Sequence, residues 1–535
     1  MARVFTSETQ TAFKFGTHEI CFKADSALGN PYFDTELKVA FTKPDGTTTI
    51  VDGFYDGGTA YKARAYCDMT GVWKWNSVSN NAGLANRSGD FEVVPSNIKG
   101  KLRIHHNDPY QFEYDNGDWF LHIGDTGYRY VSNTEPLWKE YIDQAAASGI
   151  TKIRVWFCQD RSNVQALFQY DREYLNLDYW QEIDRRLVYA LDHYSKINIQ
   201  LILFAEDKHE ILNYANGDAI SIMAIRYAQA RFSSFANVSW CISNDLKLRD
   251  SAGEFAEREG QNTSNSSDLI MGIEKIGHDM FEREPWGTLI TNHQARFSGY
   301  RFLDASWSSI VTLEDLGQVT GDEIQKYRKI KNMPVVIDED RYEKWRAPQH
   351  SRYFFRRLMW ASILSGGHAT YGGLHTYIQF DGSLNGMYGY YDACREGKLD
   401  CGAHDFIYIH KFFKDTGVTM AEMIPDDSVV GSNPLLFKAA KSKDSKKHIV
   451  YLANPSVYEG HSPNRFAGYY SDEYADAGSD IPSVALNLDS ADKFLVEWYK
   501  PVTGDWILKY EIHKEQNIIF APAEGDWILF ITALK

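Results

Sequence analysis

Apolar and polar residues alternate with period two early in the chain, as in "ELKVAFTKP" and "DFEVVPS", and the turn signals "PDG", "DGG" and "NNAG" separate these segments. That rhythm predicts short strands packed as a β-sandwich over residues 1–98. From residue 119 the pattern changes. Short apolar runs predict strands at 119–126, 151–160, 198–207, 237–245, 287–294, 305–313, 333–340 and 369–377. Between them, stretches such as "EPLWKEYIDQAAASG" and "DYWQEIDRRLVYALDHYSK" repeat apolar residues at spacings of three and four, the period of an amphipathic helix. Eight strand–helix units within residues 99–417 predict a (β/α)8 barrel, hence a mixed α/β fold. A doubly wound open sheet is the runner-up, but no GxGxxG turn follows the first strand to support it. Residues 418–535 return to β patterning in "HIVYLAN" and "FLVEWYKPVTGDWI", which predicts a second sandwich.

Composition adds two constraints. Aromatic residues make up 14% of the 535, including 14 Trp and 33 Tyr. Such a surplus either lines a concave site or fills sandwich cores. The net charge of −16 gives no counterion-release affinity for nucleic acid or an anionic membrane, and it disfavours a polyanionic substrate. No apolar run reaches the ~18 residues of a membrane span. The first residues, "MARVFTSETQTAFKFGTHEI", lack the apolar core of a secretory signal, and the 6 cysteines show no CxxC spacing. A cytoplasmic chain with reduced thiols is the expectation; removal of a signal would make it secreted or periplasmic.

Candidate chemistry sits at the strand ends, because a barrel presents its active residues at the C-terminal ends of its strands. Those ends read Asp125, Asp160, Glu206-Asp207, Asn244-Asp245, His293, Glu314, Asp338-Glu339-Asp340 and His375. A single strand-end acid is usually a helix cap. A ring of them crowds carboxylates together and raises their pKa values. Two carboxylates in unlike surroundings are what glycosidic hydrolysis requires, and Asp245 and Glu339 close the fourth and seventh strands. Other chemistries lack support: GxSxG and HExxH are absent. In "RIHHND", His105 and His106 would point apart on an extended segment, which argues against a metal there. A polysaccharide lyase would need a charge-neutralising group that an acidic mouth does not offer.

The middle of the chain resembles the apiosidase-like barrel glycoside hydrolases. The resemblance lies in "HNDPYQFEYDNGDWFLHIGDTGYRY", "RYAQARFSSFANVSWCISND", "MPVVIDEDRYE" and "RRLMWASILSGGHATYGG". This group is related to the large retaining superfamily whose catalytic acids follow strands four and seven. The front 98 residues resemble the small sandwich that often precedes such barrels. "VEWYKPVTGDW" resembles a C-terminal sandwich that carries a collagen-binding label, which does not by itself assign a function. Carried over, the resemblance makes Asp245 the acid/base and Glu339 the nucleophile. The larger superfamily has Asn-Glu where this chain has Asn-Asp, so Asp160 and Glu206 are alternative acids. Asn244, His293, Asp125 and Glu206 are expected to hold sugar hydroxyls, with Asp160 and His375 also lining the mouth. Trp307 or Trp156 is expected to stack on a sugar face. No cofactor or metal is expected.

The expected partner is a plant or algal carbohydrate, with furanosides such as apiose or arabinofuranose fitting the resemblance. Nucleic acid and membrane are not expected, and a homo-oligomer is left open. Residues 249–267 and 378–402 are expected to form the loops that set exo or endo action. A non-catalytic carbohydrate-binding scaffold on the same barrel is the alternative reading.

Overall fold

The alternation in "LKVAFT" becomes strand Leu37–Thr42, whose side chains face the core and solvent by turns. In this computed structural model the described residues are 4–26, 29–158, 164–170, 172–248, 266–295, 299–314, 318–339, 350–373, 402–433, 436–457 and 475–535. At the N-terminus a four-stranded sheet and a five-stranded sheet share a core that includes Val39, Phe41, Trp73 and Phe91. Pairing is mainly antiparallel, but Phe5–Ser7 runs parallel to Thr17–Lys23 and Thr11–Phe13 parallel to Ser88–Val94.

Eight parallel strands follow: β1 (Ile123–Asp125), β2 (Lys152–Trp156), β3 (Asn198–Ile202), β4 (Val238–Cys241), β5 (Ile290–Thr291), β6 (Val311–Glu314), β7 (Val335–Glu339) and β8 (His368–Tyr371). They pair in the order β5-β4-β3-β2-β1-β8-β7-β6. The remaining seam, β5 to β6, carries no ladder but is bridged: Ser309 N–H donates to the Ile290 carbonyl at 2.9 Å, and the Thr291 hydroxyl donates to the Ile310 carbonyl at 2.7 Å. The result is a nearly closed barrel.

Around it lie α1 (Leu137–Ala147), α2 (Leu177–His193), α3 (Lys208–Ala215), α4 (Ala219–Phe232), α5 (Ser267–Arg283), α6 (Asp322–Ile330), α7 (Arg352–Leu364) and α8 (Phe406–Thr416). Two of these, α3 and α4, share one crossover, and among the described residues no helix separates β5 from β6. The eight-unit reading is corrected there, because residues 299–310 cross as an irregular segment packed through Phe302 and Trp307.

A three-stranded sheet (Leu102–Ile104, Phe112–Tyr114 and Trp119–Phe120) closes the N-terminal end of the barrel. Phe112 and Phe120 pack there on Val336 of β7. At the C-terminus a six-stranded antiparallel sheet and a two-stranded sheet share a core around Val496, Trp498, Trp527 and Ile519. Cys21, Cys67, Cys158 and Cys241 are free thiols, while Cys394 and Cys401 lie outside the described residues. Among the described residues, no helix is long and apolar enough to cross a membrane.

Candidate active site

The site begins with two cations on a strand that is otherwise apolar. In β2 the side chains of Lys152 and Arg154 face the barrel interior at 2% and 0% exposure. Bare buried cations would be costly, so partners must exist. Lys152 Nζ lies 2.7 Å from Asp338 Oδ1, and Arg154 Nε lies 3.2 Å from Asp338 Oδ2. The Thr370 hydroxyl donates to the same Asp338 at 2.9 Å. Burial opposes charge on Asp338, yet Lys152 and Arg154 outweigh it and hold the carboxyl well below its usual range. Asp338 is therefore a fixed anion.

Arg154 also reaches the next residue. Its Nη1 donates to Glu339 Oε2 at 3.0 Å, to the Tyr128 oxygen at 3.0 Å and to the Asp338 carbonyl at 2.8 Å. Tyr128 Oη donates to Glu339 Oε2 as well. Strict alternation would send adjacent residues to opposite faces of a strand. A bulge overrides it: Leu313 pairs with Ile337, but Glu314 pairs with Glu339, skipping Asp338. Bulges re-aim side chains in this way beside active sites.

Asp245 arrives by a second irregularity. Its φ is +52°, a left-handed conformation that Asp tolerates better than most residues. The preceding Asn244 donates its N–H to the Ala205 carbonyl at 2.8 Å, and its Oδ1 accepts from Arg154 Nη2. Its Nδ2 has no protein partner among the described residues. Asp245 has a side chain one-quarter exposed, and His293 Nδ1 lies 3.9 Å from its Oδ1. An oxygen of Asp245, a ring nitrogen of His293 and an oxygen of Glu339 all lie within 4.8 Å of one another.

The two carboxyls differ in surroundings. Burial raises the pKa of Asp245 well above the ordinary value, and Glu314, Glu339 and Glu206 push it further. Burial also raises that of Glu339, but Arg154 and the Tyr128 hydroxyl oppose the rise. When the pair holds one proton, it belongs on Asp245, and the charge belongs on Glu339. The same trio is compact enough for a divalent ion, although Arg154 already supplies positive charge on the Glu339 side. A second compact trio, His105, His106 and Glu113, lies on the hairpin at the opposite end of the barrel. There the two imidazoles stack at 4.9 Å with planes 12° apart, and His106 Nδ1 meets Glu113 Oε2 at 2.7 Å. The expectation that these histidines point apart is corrected, because His106 has left the strand and entered a turn.

The sequence-predicted residues divide. Asp245, Glu339, Asn244 and His293 come together, and Glu206 stands close enough to act on Asp245. Asp125 is corrected: it is fully buried, accepting from the Tyr141 hydroxyl at 2.8 Å and from Gly373 N–H at 3.2 Å. It ties β1 to the segment after β8 and offers no surface to a sugar. Trp156 is fully buried and stacks behind Tyr128 at 4.5 Å. Trp307 is 1% exposed and donates its indole N–H to Glu274 of α5 at 2.8 Å. It lies flush on that helix at Gly277, where a Cβ would come within 2.3 Å of the ring. Neither Trp has a face open for stacking. Asp160, His375 and most of both candidate loops lie outside the described residues. Tyr128, Lys152 and Arg154 were not foreseen. The signal was present in "KIRVW", where two cations at alternate positions of an apolar strand demand buried acids opposite.

Comparison with known proteins accords with this geometry. The family model described as "Apiosidase-like, catalytic domain" matches residues 106–418, more than half of the 535. The chain belongs to the apiosidase-like family. It is a glycoside hydrolase. Residues 11–80 of this apiosidase-like chain match a domain of unknown function, DUF5060. No curated protein matches. Among solved structures, a provisionally assigned glycoside hydrolase of Bacteroides vulgatus ATCC 8482 is similar at 16% identity and TM-score 0.74, covering 98% of this chain and 100% of its own. A family 5 glycoside hydrolase of the same organism is similar at 16% identity and TM-score 0.58, covering 81% of this chain and 94% of its own. At such identity these structures speak for the fold alone.

Proposed function

We propose that this chain hydrolyses glycosidic bonds of a plant or algal oligo- or polysaccharide with retention, using Glu339 as nucleophile and Asp245 as acid/base. The carrying observation is the asymmetry of two carboxyls whose oxygens approach within 4.8 Å. Retaining enzymes place their carboxyls about 5–5.5 Å apart, whereas inverting enzymes leave roughly 6.5–9.5 Å for a water. Glu339, held ionised by Arg154 and Tyr128, attacks the anomeric carbon. Asp245, kept protonated among acids, gives its proton to the leaving oxygen and then takes one from water. The Asn244 Nδ2, Glu206 and His293 would hold hydroxyls at the mouth. Furanosides, apiose among them, are the substrate class that the family description favours. In this reading residues 1–98, 99–417 and 418–535 are three domains, with catalysis in the second.

Sugar release from a panel of aryl furanosides, aryl pyranosides and plant polysaccharides tests the assignment. Glu339→Gln is expected to lower release at least about a thousandfold. Asp245→Asn should lose most activity on poor leaving groups, with azide restoring turnover of an activated aryl glycoside. NMR of the first-formed product should show the substrate's anomer. An inverted product, or a fully active Glu339→Gln, would sink the reading.

A further inference from the structure

The acid at the end of β6 has no role in the two-carboxyl mechanism. Glu314 is only 6% exposed and stands on an edge where a buried acid needs a reason. The bulge places it directly opposite Glu339, an oxygen of which lies within 4.8 Å of an Asp245 oxygen, and Glu314 stands close enough to raise the Asp245 pKa. Three strand-end carboxyls thus meet in one place, reached by two local departures from regular backbone, the bulge and the left-handed Asp245. Backbone irregularity of this kind persists where the surroundings require a side chain to be re-aimed. A hydrogen bond between two carboxyl groups exists only while one of them carries a proton.

We propose that Glu314 is a positioning residue that holds the acid proton of Asp245 in a carboxyl-to-carboxylate hydrogen bond. This rests on the reading of Asp245 as the acid/base. The groups that face Asp245 are Glu206 after β3, His293 after β5, Glu314 on β6 and Glu339 on β7, while Arg154 of β2 binds its neighbour Asn244. In the first step the Asp245 proton moves to the leaving oxygen as the glycosidic C–O bond breaks, and a Glu339 oxygen bonds the anomeric carbon. Asp245 and Glu314 then face each other as two anions. That repulsion makes Asp245 a stronger base toward the incoming water. As water's oxygen bonds the anomeric carbon, its proton returns to Asp245, the Glu339–carbon bond breaks and the hydrogen bond to Glu314 re-forms. Glu314 therefore acts on both half-reactions without touching the sugar.

A thermal-unfolding cycle on the full chain tests proton sharing without any substrate. Wild type, Glu314→Gln, Asp245→Asn and the double variant are compared from pH 5 to pH 9. In wild type the shared proton is held by the folded state, so rising pH costs stability there, and Glu314→Gln removes that cost. The Tm of Glu314→Gln relative to wild type should rise by about 1 °C or more between pH 5 and pH 9. In the Asp245→Asn background the pH-dependent gain should vanish. A merely structural Glu314 would give a difference constant with pH, or one that persists without Asp245, and either outcome overturns the proposal.

The second readout is the pH profile of kcat/KM on the 4-nitrophenyl glycoside that wild type cleaves fastest. Glu314→Gln should shift the basic limb down by about one pH unit or more, with Glu314→Asp restoring part of it. A basic limb that survives in Asp245→Asn would refute the acid/base assignment alone, leaving the unfolding cycle to decide proton sharing.

Discussion

The proposed mechanism requires Glu339 to ionise in a buried mouth, and two donors converge on a single oxygen in favour of the charge. Glu339 Oε2 accepts from Tyr128 and from Arg154, and Trp156 stacks behind the tyrosine ring. Tyr128→Phe keeps that stack and deletes one donor. A hydrogen bond to a charged group contributes roughly 1.5–3 kcal/mol, so kcat/KM should fall about 10- to 100-fold. The Tyr128 hydroxyl also opposes the upward pull of burial on Glu339. Without it the carboxyl protonates more readily, and the acidic limb of the pH–rate profile should move to higher pH. An unmoved limb would separate Tyr128 from the titration of Glu339. The sequence made the acids legible because a buried strand that ends in a carboxylate is conspicuous. It hid their partners, because which inward residue meets which depends on register around the barrel. Asp125 and Glu339 look alike as strand ends. One is locked to Tyr141 and Gly373, and the other is cradled by a cation.

At the scale of elements, adjacent strand-end acids do different jobs that residue type alone does not distinguish. Asp207 shows the bland one. It caps α3, accepting from the N–H groups of His209 and Glu210 at 3.1 and 3.2 Å. Asp207→Ala should cost about 1 kcal/mol of stability and leave kcat/KM unchanged, read by denaturant unfolding beside steady-state kinetics. A large kinetic loss with little loss of stability would return Asp207 to the site. Glu206, one residue earlier, acts on Asp245 instead. The barrel was legible because apolar runs alternated with helical periods. The bulge at Asp338 was not, since it changes no residue type and only the pairing of β6 with β7 reveals it. The same limit applied to His105 and His106. Their parallel rings follow from a turn after Ile104, and an extended reading of "RIHHND" had placed them apart.

Across the whole molecule, buried charge joins the flanking sheets to the barrel. Arg64, from the N-terminal sheet, lies 2.8 Å from Glu19 and 2.7 Å from Asp184 of α2, and Arg231 of α4 joins the same cluster through Asp184. On the other side Arg356 of α7 meets Asp526 beside the C-terminal sheet and Asp405, both at 2.6 Å. Parts coupled in this way should respond to pH together, and each carries a buried neutral histidine. Burial lowers His18 to about 4 in the N-terminal sheet, His368 to about 3 in β8 and His448 to about 4 in the C-terminal sheet. A histidine whose folded pKa lies below its unfolded value near 6.5 binds fewer protons when folded, so its stability is lost as pH falls from 6.5 toward 4. Each such group contributes on the order of 3 kcal/mol over that window. Asp125, raised to about 7 by burial, works the other way and offsets part of the loss, because its folded state gains a proton on acidification. Asp245 and Glu339, also raised, act in the same sense as Asp125, but His122 and Asp338, both held low, add to the loss, so the net expectation is a falling Tm below pH 6.5. His448→Phe tests it with least disturbance, since the ring stands edge-on to Phe494 at 6.4 Å and its Nδ1 has no protein partner among the described residues. Between pH 7 and pH 4.5 the variant should lose visibly less Tm than wild type, and parallel decline in the two proteins would assign acid sensitivity to other groups.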